Sequence, residues 1–116
     1  MLEYHPLANL FPLIEGRAFE DLVADVQANG IREPIILLDG KILDGRNRYR
    51  AGMEAALIAR SATPDSVFAH RWFEVYDTER LGDPLAWVLS KNLHRRHLNE
   101  SQRAAVAAKL ETLSHG

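Results

Sequence analysis

The chain has 116 residues, 47% of them hydrophobic and 26% charged, with a net charge of −2. That is one domain's length at a globular composition, which excludes a disordered tail as a description of the whole. The absence of cysteine excludes disulfides, zinc–thiolate sites, iron–sulfur clusters and thiol nucleophiles together.

No apolar run is long enough to span a bilayer, and Met1 to His5 lack the basic and apolar regions of a secretory signal. A cytoplasmic setting without a membrane partner is therefore expected. Pro6 and Pro12 interrupt any helix near the N-terminus, so residues 1–15 are expected to form a short strand or extended arm. Phe19, Leu22, Val23 and Val26 recur at i, i+3, i+4 and i+7, the apolar face of an amphipathic helix. Asn29-Gly30 supplies its stop.

The run Pro34-Ile35-Ile36-Leu37-Leu38 reads as a buried strand. Asp39-Gly40 is a two-residue hairpin turn, and Lys41-Ile42-Leu43 returns as the partner strand. A second helix is expected from Arg46 to about Ile58, with Asp44 as N-cap and Tyr49, Met53, Ala56 and Leu57 on its inner face. Residues 61–66 read as a polar loop, and 67–76 as strand-forming, with the strand itself over 69–75. Asp83-Pro84 opens another helix through Leu85, Val88, Leu89 and Asn92. Asn99-Glu100-Ser101-Gln102 resembles a capping box for a last helix to about Leu113. The order predicts an α+β fold, a small mixed sheet flanked by helices. Leu22, Val26, Ile36, Leu37, Leu43, Met53, Phe73 and Leu89 are the expected core.

Charge is segregated along the chain. Residues 1–40 carry net −5, 41–60 net +3, 61–90 net −3 and 91–116 net +3. The first basic island is Gly45-Arg46-Asn47-Arg48-Tyr49-Arg50-Ala51, where a strand meets a helix through a glycine. Backbone N–H groups at a helix start have no internal acceptor and favour an anion. Gly45 permits close approach, and arginine forks suit phosphate oxygens. Arg46 and Arg50 share a helix face that Arg48 does not. An exposed basic helix would read the same way. The second island, Lys91-Asn92-Leu93-His94-Arg95-Arg96-His97-Leu98-Asn99, joins two helices. No carboxylate or cysteine stands in register with His94 and His97, so no metal site is expected there. A phosphate or nucleic-acid contact is better supported, and a solvated basic turn is the other reading.

Together these stretches resemble the N-terminal domain of ParB-type partition proteins, in the ParB/sulfiredoxin superfamily, over roughly residues 13 to 110. Arg17 stands before the first helix as in that family. Gly30-Ile31-Arg32-Glu33-Pro34-Ile35 matches its turn into a strand, and the two basic islands match its glycine-arginine and asparagine-arginine boxes. The resemblance implies a nucleotide-binding unit over 1–98, followed by a helix over 99–116 leading toward an absent or separate DNA-binding domain. It implies a CTP-like triphosphate bound by Gly45, Arg46, Asn47, Arg48, Arg50, Asn92 and Arg95, with Arg17 lining the pocket. It implies a role in plasmid or chromosome partition or replication, with DNA as partner, directly or through the missing domain, and self-association. Arg46 and Lys91 stand where the family places glutamates, so Mg2+ is not expected to be required. Binding without efficient turnover is the expectation; any turnover would be nucleoside triphosphate hydrolysis. Sulfiredoxin chemistry needs a cysteine this chain lacks. The other readings are a ParB-like nuclease or small-molecule kinase using the same cradle, with Asp44 or Glu15 as its carboxylate, or a plain binding module.

Overall fold

The computed structural model describes the backbone of residues 1–67, 70–95 and 100–115, and the side chains of the same ranges except 93–95 and 112–115. The fold is α+β, a three-stranded mixed sheet among helices. Helix α1 spans Gly16–Asn29, and Gly30, at φ 75°, closes it by donating its N–H to the Val26 carbonyl. Strands β1 (Ile35–Leu38) and β2 (Lys41–Asp44) form the antiparallel hairpin expected from the sequence. Asp39 and Gly40, at φ 55° and 73°, take the two left-handed positions that a tight hairpin turn with the right twist requires. Strand β3 (Phe73–Val75) pairs parallel to β1, with Ile35 opposite Phe73 and Leu37 opposite Val75. The sheet order is β2-β1-β3, and helix α2 (Arg46–Glu54) belongs to the crossover between the parallel pair.

Strand β1 is buried on both faces, which explains its unbroken apolar sequence. Ile35 and Leu37 join Ile42, Tyr49 and Val26 in one cluster, while Ile36 joins Leu43, Phe11, Tyr76 and Val88 in another. Helices α1 and α2 cover the first face. The second is covered by α5 (Pro84–Arg95) and α6 (Glu100–His115), the latter through Val106. Asp83 caps α5 as expected, accepting from the Ala86 N–H at 3.2 Å.

Several elements differ from those the sequence predicts. The N-terminal arm holds a 3-10 helix over Pro6–Leu10, since a proline in its first turn needs no N–H acceptor. Its preceding residues bond along β2: His5 N–H donates to the Ile42 carbonyl and Ile42 N–H to that of Glu3, both at 2.8 Å. Asp44 ends β2, and Gly45, not Asp44, takes the N-cap position of α2. Helix α2 stops at Glu54, short of Ile58. Ala56, at φ 60°, turns the chain left-handed, and the N–H groups of Leu57 and Ile58 return to the Gly52 carbonyl at 2.9 and 3.2 Å. This closure satisfies the last carbonyls and tucks Ile58 over Gly52. It leaves Ala56 exposed and Leu57 half-buried. The loop over 61–66 gives way to a helical turn α3 (Pro64–Val67), and a second short helix α4 covers Thr78–Leu81. The expected strand over 69–75 is shorter: Arg71 and Trp72 form a turn, and Ala69 lies outside the described residues. So does Asn99 of the capping box. Of the expected core, Leu22 and Leu89 are half-buried; the rest are buried.

His5 Nδ1 accepts the Leu7 N–H at 3.1 Å, capping the 3-10 helix. Burial lowers the imidazole pKa from its ordinary 6.5, with smaller opposing effects of Asp39 and Lys41. The folded state therefore resists protonation, so the contribution is complete above the unfolded value and is lost as pH falls through the lower folded value. The melting temperature should drop more between about pH 7 and pH 5 in the native chain than in His5→Asn, whose amide caps without titrating. Equal slopes would remove His5 from the acid response.

Candidate functional site

At Asp44 the chain leaves β2, turns through Gly45 at φ 101° and enters α2 at Arg46. A Cβ on Gly45 would lie 2.9 Å from Arg48 Nη2 and 3.3 Å from Ile35 Cα. The position thus needs glycine for both conformation and space. The first-turn amides of α2 have no acceptor four residues back, and beside them lies a cavity of about 410 Å3. Gly45, Arg46, Asn47 and Arg48 form one wall. Asn92 of α5 reaches it from far along the chain, Glu33 and Asp44 add carboxylates, and Ala8, Ile14, Leu22 and Leu43 make an apolar side.

Arg48 is the central cation. Its Nη2 donates to the Pro34 carbonyl at 3.0 Å and to Asp44 Oδ2 at 3.3 Å. Its Nε is buried without a hydrogen-bond partner. A buried guanidinium N–H left unsatisfied is costly. The Arg48 side chain is 18% exposed and that of Asp44 6%, so their ion pair sits at the cavity's inner margin.

The other box residues divide between cavity and scaffold. Arg46 is buried; it donates to the Phe11 carbonyl and, at 3.3 Å, to Asn9 Oδ1. Asn47 Oδ1 accepts from the Ile14 N–H at 3.1 Å and from Arg50 Nη1 at 3.3 Å. Arg50 also donates to the Ile14 carbonyl at 3.0 Å and lies 4.3 Å over the Phe19 ring, away from the cavity lining. Asn92 is buried, with Nδ2 donating to the Val88 carbonyl one turn back at 2.9 Å. Arg17 is exposed on α1 and does not line the cavity. The Arg95 side chain lies outside the described residues.

No family model matches the chain, and neither a curated protein nor a solved structure matches it significantly.

Lys91, set by the resemblance where a glutamate is expected, stands 5.6 Å over the Trp87 ring in a neighbouring cavity of about 240 Å3. Glu33 and Asp44 border both spaces. Among the described residues no group of three His, Cys, Asp or Glu could hold a metal by itself. Magnesium, however, is commonly held by one or two carboxylates together with phosphate oxygens. Glu33, Asn9 and the carbonyls of Phe11 and Ile14 escaped the sequence reading. The last three act through the backbone or a lone amide, which no motif records. The site brings together anion-directed amides, an arginine with an unused donor, and an amide side chain from a second element. That combination suits a phosphate group whose organic part lies along the apolar wall.

Proposed function

We propose that this cavity binds the phosphates of a nucleoside triphosphate, CTP-like, in a domain of the ParB N-terminal type, without efficient turnover. The observation that carries the reading is that Gly45–Arg48 and Asn92, from two boxes far apart in sequence, line one cavity. Gly45 and the first-turn amides would cradle the phosphates, with Arg48 and Asn92 binding their oxygens. Arg46, which donates to the arm, would add positive charge to the same wall. DNA partition, self-association and a cytoplasmic setting are the wider parts of the same proposal. No helix among the described residues is long and apolar enough to cross a membrane.

A second reading, phosphoryl chemistry of the nuclease or kinase kind, is favoured by one observation. Asp44 borders the cavity beside Arg48, which puts a carboxylate within reach of a metal or substrate bound there. Calorimetry with CTP, ATP and GTP, each with magnesium and with a chelator, alongside phosphate release, separates the two. Binding that survives the chelator without phosphate release supports the first. Rapid magnesium-dependent release that Asp44→Asn abolishes supports the second. No binding to any of the three overturns the nucleotide reading.

A further inference from the structure

Ala8 and Ile14, which line the cavity, belong to the N-terminal arm, and the chain between them is held by side chains on both flanks. From α2, Arg46 reaches the Phe11 carbonyl and Asn9 Oδ1, Asn47 accepts the Ile14 N–H, and Arg50 donates to the Ile14 carbonyl. From α6, Lys109 Nζ donates to the Asn9 carbonyl at 2.6 Å. Val106 of α6 packs in the same apolar cluster as Leu10 and Phe11. Asn9 is thus gripped through its side chain by the residue that opens α2 and through its backbone by α6.

We propose that residues 8–14 form a strap that borders the cavity at its two ends, Ala8 and Ile14, and couples what happens there to the docking of α6. The sequence of causes is physical. These residues lie outside the three-stranded ladder, and these five polar contacts and the Leu10–Phe11 packing help to hold the strap in place. Local opening of such a segment need not break the sheet. A group filling the cavity against Ile14 and Ala8 holds the strap down, and a seated strap presents Asn9 and Phe11 to α6. Loss of α6 docking frees Asn9 and weakens the same wall. By linkage the effect runs equally in both directions. Only the ligand half of this coupling rests on the nucleotide reading; the link between strap and α6 stands without it.

Hydrogen exchange on the full chain tests it. Lys109→Met removes the α6 grip at an exposed position, and Asn9→Ala removes the acceptor facing Arg46. Without ligand, Lys109→Met should speed exchange of the Ile14 amide, and Asn9→Ala should speed the α6 amides around Val106, each by roughly fivefold or more. Unchanged exchange at the β1 amides checks that the fold is retained. CTP should slow Ile14 and α6 exchange together in the native chain, and less so in Lys109→Met. Effects of each substitution confined to its own element would overturn the strap. If CTP changes nothing while the two substitutions still act across the gap, the nucleotide reading fails and the strap stands.

Discussion

Gly45→Ala is expected to destabilise the fold by about 1–3 kcal/mol and to remove anion binding from the cavity. At φ 101° an L side chain is strained wherever it sits. Here the added Cβ also meets the β1 backbone at Ile35 Cα, 3.3 Å away, and Arg48 Nη2 at 2.9 Å. The backbone of a central strand cannot retreat, so the Arg48 guanidinium must move from its place between Pro34 and Asp44. Gly16→Ala is the control: φ is 60° there, but nothing lies within 4 Å of the new Cβ. Urea unfolding of both variants should show the larger loss at Gly45, with lost binding in that variant alone. Equal losses would mean that Gly45 serves conformation only and that the close packing around it carries no function.

Arg48→Ala is expected to weaken nucleotide binding by roughly one to two orders of magnitude, the value of a charge-assisted contact to phosphate. It also leaves Asp44, 6% exposed, without its ion-pair partner. Because Arg48 itself is 18% exposed, solvent moderates the cost, and about 1–3 kcal/mol of stability should go, below the figure for a fully buried pair. Arg48→Lys keeps the charge but loses the fork and the Nε donor. It should recover most of the stability and little of the affinity. Calorimetric titration with CTP and urea melts read the two effects separately. Full binding in Arg48→Lys would show that only charge matters and that the unused Nε is irrelevant.

The hairpin and the stop of α1 were legible because their causes are local. Asp39-Gly40 and Gly30 supply left-handed positions, and the apolar run of β1 announces burial on two faces. The early end of α2 was not, since Ala56 carries no sign of a left-handed conformation. What fixes it is Ile58 folding back over Gly52, a packing event beyond any window of helix periodicity. At the site, Gly45 and Arg48 stand out by type and spacing, and Asn92 entered through the resemblance. Arg46 and Arg50 share that motif, yet their partners are the Phe11 and Ile14 carbonyls, more than thirty residues upstream. Backbone acceptors leave no trace in side-chain identity, so the strap had no signature. Asp44 was misassigned for a related reason: before a helix, an N-cap aspartate and a strand-end aspartate look alike, and only the turn at Gly45 separates them.

The start of α2 and Asn92 line one cavity around Arg48, and the proposed function requires that anions bind there. The most direct measurement is a nitrogen–proton correlation titration of the labelled chain with CTP, following the amides of Arg46, Asn47 and Arg48, the Arg48 Nε–H and the Asn92 side-chain amide. All should shift along one saturation curve. Shifts confined to α2 with Asn92 unmoved, or an Arg48 Nε–H indifferent to saturating CTP, would contradict the account.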